Sequence, residues 1–190
     1  MGLHAARRLA ELASDARIAL VDAGRIGNSS AGRCAGFAID LAHNPRNKHF
    51  AEDKKGNEEE LHVNAEGIAY MKSAVDDLGV ACDWDPSGKY HAAATPRGDR
   101  CLADMSAALT KIGKEHSWIG KDEIQSLTGS KYYHAAIHTP GTILLQPAKY
   151  RVGLMQVLPE GVAVYEKTPI TDIAYASNHH ICVTPNGIIR

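Results

Sequence analysis

The sequence predicts an α/β fold, and two neighbouring patterns near the start of the chain carry that prediction. Over residues 2–12, apolar side chains recur at the spacing of one helix face, which is typical of an amphipathic helix. A short, continuous apolar run, Ile18 to Val21, follows and fits a strand buried on both faces of a parallel sheet. The apolar helix positions are Leu3, Ala6, Leu9 and Leu12.

An acidic residue, Asp22, stands directly after the predicted strand. In nucleotide-binding βαβ folds, an acid at the carboxyl end of such a strand accepts hydrogen bonds from a ribose. A solvated aspartate at an ordinary strand end is the alternative. The spacing from Gly2 leaves both interpretations open.

The loop after Asp22 is rich in residues with little side-chain bulk. Backbone can approach a ligand closely at such residues, and their hydroxyl and amide groups can face a phosphate. Arg33 adds a cation with a fixed fork of donors. A flexible surface loop is the alternative. The small residues are Gly27, Ser29, Ser30, Ala31, Gly32, Ala35 and Gly36.

Four further helices are predicted from apolar spacing and end signals. The first, residues 58–78, has acids in its first turn, which suits the helix dipole, and Gly79 can end it. Proline at position 147 can open the last helix. Before the first of them, residues 40–55 read as polar and irregular, with a turn at 43–45. The other predicted helices cover residues 99–112, 121–127 and 147–158.

Strands are predicted mainly in the second half of the chain. Residues 79–94 read as two strands around a turn at 85–88, whose Asp-Pro-Ser-Gly sequence is a turn signal. Residues 162–173 and 181–183 read as strands. The Pro-Asn-Gly sequence at 185–187 reads as a tight turn into a further strand.

Segment 30–37, Ser-Ala-Gly-Arg-Cys-Ala-Gly-Phe, resembles a loop of FAD-dependent oxidoreductases of the D-amino-acid oxidase (glycine/D-amino acid oxidase-like) family. The similarity is greatest to the gamma-glutamylputrescine oxidase branch, where Asn replaces Cys34 and Ser replaces Ala31. Segments 138–149 and 164–173 resemble the family's mid-chain segment and its adenine-side strand. The resemblance covers essentially the whole of this chain. In a typical family member it corresponds to about the first half, without that member's first strand.

The resemblance implies an incomplete Rossmann-like FAD-binding domain with an inserted α+β portion on the substrate side. Residues 1–80 would form the first part of the FAD-binding domain, which lacks its first strand. Residues 81–144 would form the substrate-domain portion, and residues 145–190 a truncated second FAD-binding part.

The implied activity is oxidation of a C–N bond of an amino acid or amine by hydride transfer to flavin N5. The protein's partner would be that small-molecule substrate. The sequence singles out no catalytic acid, base or nucleophile, which is consistent with chemistry carried by a flavin. The chain by itself is expected to be a fragment that binds FAD weakly or not at all.

The resemblance also implies contacts to FAD. Gly2 would close the pyrophosphate loop at a helix N-terminus, and Asp22 would bind ribose hydroxyls. Ile170 would pair with the adenine edge through its backbone. The residues that would line the pyrophosphate and approach the flavin are Ser30, Gly32 and Arg33.

Two functions of other classes remain open. One is a non-catalytic binding or assembly module, such as a truncated paralogue that forms a homo-oligomer or pairs with a complementing chain. The other is an NAD-dependent dehydrogenase, because an acid such as Asp22 suits NAD equally well. The loop after Asp22 and residues 169–172 favour the flavin family.

Composition excludes several other classes. A net charge of −1 gives no electrostatic reason for binding nucleic acid or an anionic membrane. No apolar run is long enough to span a bilayer, and no signal-peptide pattern is present. The pair His134 and His138 lacks a carboxylate at ligand spacing, so no metal site is predicted. Four scattered cysteines without a CxxC motif read as reduced thiols of a cytoplasmic protein: Cys34, Cys82, Cys101 and Cys182.

Overall fold

The computed structural model describes the backbone of residues 1–41 and 54–190, and the side chains of residues 1–41 and 58–190. The predicted turn at 43–45, and most of the irregular segment 40–55, lie outside the described residues. In the described part, the helices are α1 (Gly2–Leu12), α2 (Lys54–Leu78), α3 (Pro96–Lys111), α4 (Lys121–Thr128) and α5 (Pro147–Gln156), with a short 3₁₀ helix at Ser30–Gly32. The strands are β1 (Ile18–Val21), β2 (Phe37–Ala38), β3 (Lys89–Ala93), β4 (Ser117–Ile119), β5 (Ala135–Thr139), β6 (Ile143–Leu144), β7 (Val162–Tyr165), β8 (Asp172–Tyr175), β9 (His180–Thr184) and β10 (Gly187–Ile189).

The chain forms two compact units, each built from separate stretches of sequence. Unit 1 contains residues 1–36, 73–82 and 146–190, and unit 2 contains residues 37–72 and 83–145. The predicted division grouped 37–72 with the first part, whereas the compact units group them with the second. The mixture of helices and sheets confirms the predicted α/β class, and the roles assigned to the parts stay predictions.

In unit 1, β1 and β7 form a parallel pair, with Ile18 opposite Val162. Helix α1 packs against both strands. It covers the face on which Leu20 lies, as the close approach of Gly2 shows: a Cβ placed on Gly2 would be 3.2 Å from Leu20 Cδ1. Ala19 points to the other face and is exposed. The parallel strand is confirmed, but the prediction that it is buried on both faces is wrong, since described residues cover one face only.

The predicted single strand over residues 162–173 is wrong, because a turn separates β7 from β8. Lys167 in this turn has a φ of 51°, a left-handed conformation that breaks a strand. The amide of Thr168 donates to the carbonyl oxygen of Asp22 at 2.9 Å. The chain therefore crosses the end of β1 instead of extending β7.

Strands β8, β9 and β10 form an antiparallel sheet in which β9 is central. Thr184 pairs with Gly187 across a two-residue turn, and the Thr184 hydroxyl accepts a hydrogen bond from the amide of Asn186 at 3.3 Å. This geometry confirms the tight turn and the strand predicted after it.

Unit 2 is built on the antiparallel sheet β3-β5-β4, against which α3 and α4 pack. Strand β5 is central and its apolar side chains are buried on both faces, because α3 lies on one and α4 on the other. The helices predicted at 99–112 and 121–127 are confirmed. The buried cluster under α3 contains Leu41, Leu61, Ala93, Leu102, Leu109, Ala135 and Ile137.

Only one of the two strands predicted in residues 79–94 forms, namely β3. The turn between them is confirmed: the carboxylate of Asp85 accepts from the amide of Ser87 at 2.9 Å, and Gly88 has a φ of 81°. Among the described residues ahead of the turn, no strand forms that pairs with β3 in a hairpin. Instead, Asp85, at the start of the turn, pairs with Leu144 in an isolated bridge. Local sequence does not encode that distant partner.

Replacing Thr95 by alanine should lower the free energy of unfolding by about 1 kcal/mol, the usual value of a lost helix N-cap. The Thr95 hydroxyl accepts a hydrogen bond from the amide of Gly98 at 3.1 Å at the start of α3. Urea unfolding followed by circular dichroism measures the change. Thr95→Ser keeps the acceptor and should unfold like the parent, and equal losses in both variants would contradict the capping role.

Candidate functional site

Two acidic side chains mark the edge at which β1 and β7 end, here called the carboxyl edge. Asp22 follows β1 and Glu166 follows β7. Because the strands are parallel, both residues lie at the same edge of the pair. In α/β sheets this edge is where ligands bind.

The half-buried side chain of Asp22 is held by its own loop. Its Oδ1 accepts a hydrogen bond from the amide of Gly24 at 2.7 Å. Its backbone amide donates to the carbonyl of Tyr165 at 2.9 Å. Oδ2 accepts no hydrogen bond from the residues that the structure describes, so one oxygen of a fixed carboxylate is available to a ligand hydroxyl.

Helix α1 begins at the carboxyl edge. Gly2 lies over Leu20, two residues before Asp22. The first turn of α1 contains no acidic residue, and no described side chain caps it. Its first amides therefore carry the partial positive charge that binds anions at helix N-termini.

The loop over residues 23–33, here called the 23–33 loop, folds against α5. Gly27 has a φ of 87°, and a Cβ placed on it would be 3.4 Å from Val152 Cγ2. A Cβ placed on Gly32 would collide with the carbonyl oxygen of Gly27. Glycine at position 32 is therefore needed for the loop to close on itself, whether or not a ligand is present.

Of the three residues predicted to line the pyrophosphate, Ser30 and Arg33 are exposed. Ser30 opens the 3₁₀ helix, and Arg33 follows its end. Arg33 forms no ion pair with any residue that the structure describes. Its charge is thus available to an anion.

Ile170 reaches the carboxyl edge through the turn after β7. It lies two residues beyond Thr168, whose amide bonds to Asp22. The residue is 42% exposed, and its backbone makes no hydrogen bond within the described part of the chain. A backbone group without such a bond can pair with the edge of a base.

Gly2 packs on Leu20 of β1, and Asp22 bonds to Thr168, two residues before Ile170. Gly32 packs against Gly27 within the 23–33 loop. A role of any of these residues in binding FAD stays a prediction. Sequence reasoning missed Glu166. It could have been found by the signal that identified Asp22, because it also follows a short apolar run, 162–165.

Two histidines of unit 2, His134 and His138, contact other groups of the described residues. His138 lies in β5 and donates from Nε2 to the carbonyl oxygen of Ser87 at 2.9 Å. His134 Nδ1 lies 3.6 Å from the carboxylate of Asp99. Across residues 1–41 and 58–190, no group of three or more His, Cys, Asp or Glu is arranged to hold a metal ion.

His4 ties α1 to α5. Its Nε2 lies 3.0 Å from the hydroxyl of Tyr150, a residue that is 1% exposed. Burial, and after it the positive charges of Arg151 and Arg7, lower the pKa of His4 from 6.5 to about 4. The imidazole is therefore neutral at neutral pH.

Unit 1 should lose stability as the pH falls from about 6.5 to about 4. In this range the unfolded chain binds a proton at His4 and the folded chain does not, so protonation favours unfolding. Allowing for solvent screening of the partly exposed ring, we expect a loss of about 1–2 kcal/mol. Unfolding at several pH values measures it, with His4→Gln as the control that should remove this component. An unchanged slope in that variant would contradict the assignment.

The residues of unit 1 that the sequence singled out have donor and acceptor types suited to the parts of FAD. The dinucleotide carries a diphosphate, a ribose with two hydroxyls and an adenine. Unit 1 offers helix amides and Arg33 to an anion, a carboxylate oxygen of Asp22 to hydroxyls, and the backbone of Ile170 to a base. The donor and acceptor types thus match the cofactor group by group.

Comparisons with known proteins test the family of the chain and its fold. The family model described as "DAO: FAD dependent oxidoreductase" matches residues 1–190. No curated protein matches the sequence significantly.

Solved structures share the fold. Glycine oxidase from Geobacillus kaustophilus superposes with a TM-score of 0.78 at 18% identity, over 98% of this chain and 48% of that one. Iminodiacetate oxidase from Chelativorans sp. BNC1 superposes with a TM-score of 0.71 at 16% identity, over 100% of this chain and 50% of that one. L-alpha-glycerophosphate oxidase from Mycoplasma pneumoniae was solved with FAD bound. It superposes with a TM-score of 0.69 at 14% identity, over 98% of this chain and 48% of that one.

At these identities the likeness shows the fold alone. The chain spans about half the length of the solved structures it matches. In the described part of the chain, no helix is both long and apolar enough to cross a membrane.

Proposed function

Because this chain belongs to the DAO family of FAD-dependent oxidoreductases, we propose that the carboxyl edge of unit 1 binds the adenosine diphosphate part of FAD. The observation that carries the proposal is the fixed carboxylate of Asp22 beside the N-terminus of α1. Asp22 binds the ribose hydroxyls through Oδ2, and the amides that begin with Gly2 bind the diphosphate.

We propose the remaining contacts from the family resemblance. The backbone of Ile170 binds the adenine edge, because Ile170 lies two residues after Thr168, which bonds to Asp22. Ser30, Gly32 and Arg33 line the diphosphate and lead towards the flavin. When bound, the flavin supplies the acceptor for a hydride, and the protein's residues supply position and charge.

We propose that the substrate is an amino acid or amine whose C–N bond is oxidised. Glycine oxidase and iminodiacetate oxidase, which share the fold, are named for small amino and imino acids. The finer assignment to the gamma-glutamylputrescine oxidase branch rests on segment 30–37. Residues 81–144 are proposed to form part of the substrate side.

The activity of the whole protein is a proposal for this chain, because the chain spans about half the length of the matched flavoenzymes. A cytoplasmic location is also proposed, because none of the four cysteines, all of which are described, is in a disulfide.

The first experiment is a titration of the ¹⁵N-labelled chain with FAD, ADP and NAD, followed by amide NMR and by the visible absorbance of the flavin. NMR detects even millimolar affinity and identifies the residues involved. We expect FAD and ADP to shift the amides of Gly2, Gly24 and Ile170. Shifts confined to unit 2, or none at millimolar ADP, would contradict the proposed site. Stronger shifts with NAD than with FAD would favour a dehydrogenase.

A non-catalytic assembly module is the second candidate, and exposed side chains on α1 favour it. Leu9 and Leu12 are 55% and 68% exposed, although they continue the apolar stripe of the helix. Light scattering after gel filtration tests this function. A stable dimer that Leu9→Glu converts to monomer would support it, and a monomer at all concentrations would count against self-assembly.

A further inference from the structure

We propose that Glu166 is a positioning residue that holds the 23–33 loop in its ligand-facing shape. The inference rests on the proposed function of the carboxyl edge and adds a residue to it. Glu166 does not touch the cofactor in this assignment. It acts through the loop that carries Ser30, Gly32 and Arg33.

The contact that carries the proposal joins two distant parts of the sequence. Oε1 of Glu166 accepts a hydrogen bond from the amide of Ile26 at 2.7 Å, across 140 residues. A short bond from an amide to a carboxylate is charge-assisted and stronger than a neutral one. Without it, no described side chain accepts from the amide of Ile26.

Neighbouring bonds show that the turn after β7 is shaped to present Glu166 to the loop. The amide of Lys167 donates to the carbonyl of Gly24 at 2.8 Å, and the Thr168 hydroxyl donates to the carbonyl of Glu166 at 2.9 Å. Lys167 adopts its left-handed φ of 51° in this turn. The turn is thus anchored to the loop at Lys167, the residue after Glu166.

The two acids at the carboxyl edge therefore have different tasks. Asp22 uses one oxygen to bind Gly24 and keeps the other for a ligand. Glu166 reaches further along the loop, to Ile26. The amides of the loop's first residues are fixed by both acids, and the loop then turns back at Gly27 against α5. Removal of Glu166 should free the loop without disturbing the core of unit 1.

Three variants of the full chain test the proposal by hydrogen exchange: Glu166→Ala, Glu166→Gln and the control Glu160→Ala, which removes an exposed acid before β7. In Glu166→Ala, exchange at Ile26 and along the 23–33 loop should rise about tenfold, as expected for one lost charge-assisted bond. Glu166→Gln keeps an acceptor and should rescue most of this protection. Exchange in β9 should be equal in all three variants.

Affinity for ADP and FAD, measured by NMR titration, tests the consequence for binding. We expect Glu166→Ala to lower the affinity for both ligands by about three- to tenfold. Glu166→Gln should lower it by less, and Glu160→Ala should leave it unchanged. Equal loop exchange in Glu166→Ala and the parent would overturn the inference, as would faster exchange with unchanged affinity. If the parent binds neither ligand, the proposed function fails, and loop exchange still decides whether Glu166 holds the loop.

Discussion

Alanine at position 32 should dismantle the 23–33 loop and abolish detectable binding of FAD and ADP. The added Cβ would collide with the carbonyl oxygen of Gly27. Gly27 has little room to retreat, because it lies against Ala148 and Val152 of α5 and already has a φ of 87°. Either the loop leaves α5 or the 3₁₀ helix unwinds.

We expect this change to cost about 2 kcal/mol or more, the range of overpacking in a closely packed site. Urea unfolding measures the global loss, and hydrogen exchange of the 23–33 loop measures any part confined to the loop. Gly67→Ala is the matched control, since a Cβ at Gly67 in α2 meets nothing within 4 Å. It should stabilise the chain slightly, because alanine favours a helix more than glycine does. Native-like loop exchange in Gly32→Ala would contradict the packing described.

Loss of the Asp22 carboxylate should lower the affinity for FAD and for ADP about 30-fold or more. This is in the range expected for the loss of two charge-assisted hydrogen bonds to a ribose. Asp22→Ala removes the acceptor proposed for the hydroxyls and also the acceptor for the Gly24 amide. NMR or calorimetric titration with ADP measures the loss.

Two comparisons separate ligand contact from loop structure at Asp22. Asp22→Asn keeps an oxygen for Gly24 but loses the charge, so loop exchange should stay close to that of the parent while affinity falls. Asp15→Ala removes an exposed acid ahead of β1 and should bind like the parent. Unchanged affinity for ADP in Asp22→Ala would remove Asp22 from the proposed site.

Local patterns were sufficient for the elements whose signals are short in range. The helix ended by Gly79 and the helix opened by Pro147 form as predicted, because apolar spacing and end signals act within a few residues. The tight turn at 185–187 forms for the same reason. The FAD contacts of Gly2, Asp22, Ser30, Gly32, Arg33 and Ile170 were inferred from the family resemblance and stay predictions.

Errors arose where a distant partner decided the outcome. A strand after Gly79 was predicted, but the carbonyl of Cys82 accepts from the amide of Gln146 at 2.8 Å and Asp85 pairs with Leu144. A long strand over residues 162–173 was predicted, yet the amide of Thr168 bonds to the carbonyl of Asp22 and the chain turns there.

By itself, the sequence determined that this is an α/β protein with an acid after its first strand and a small-residue loop behind it. Those features depend on side-chain size, charge and periodicity, which can be read position by position. Only the tertiary structure decided that Glu166 bonds to Ile26, that Gly32 closes on Gly27, and that one face of β1 is exposed. Such outcomes depend on which segments meet in space, and hydrogen bonds across 140 residues leave no periodic signal in the chain.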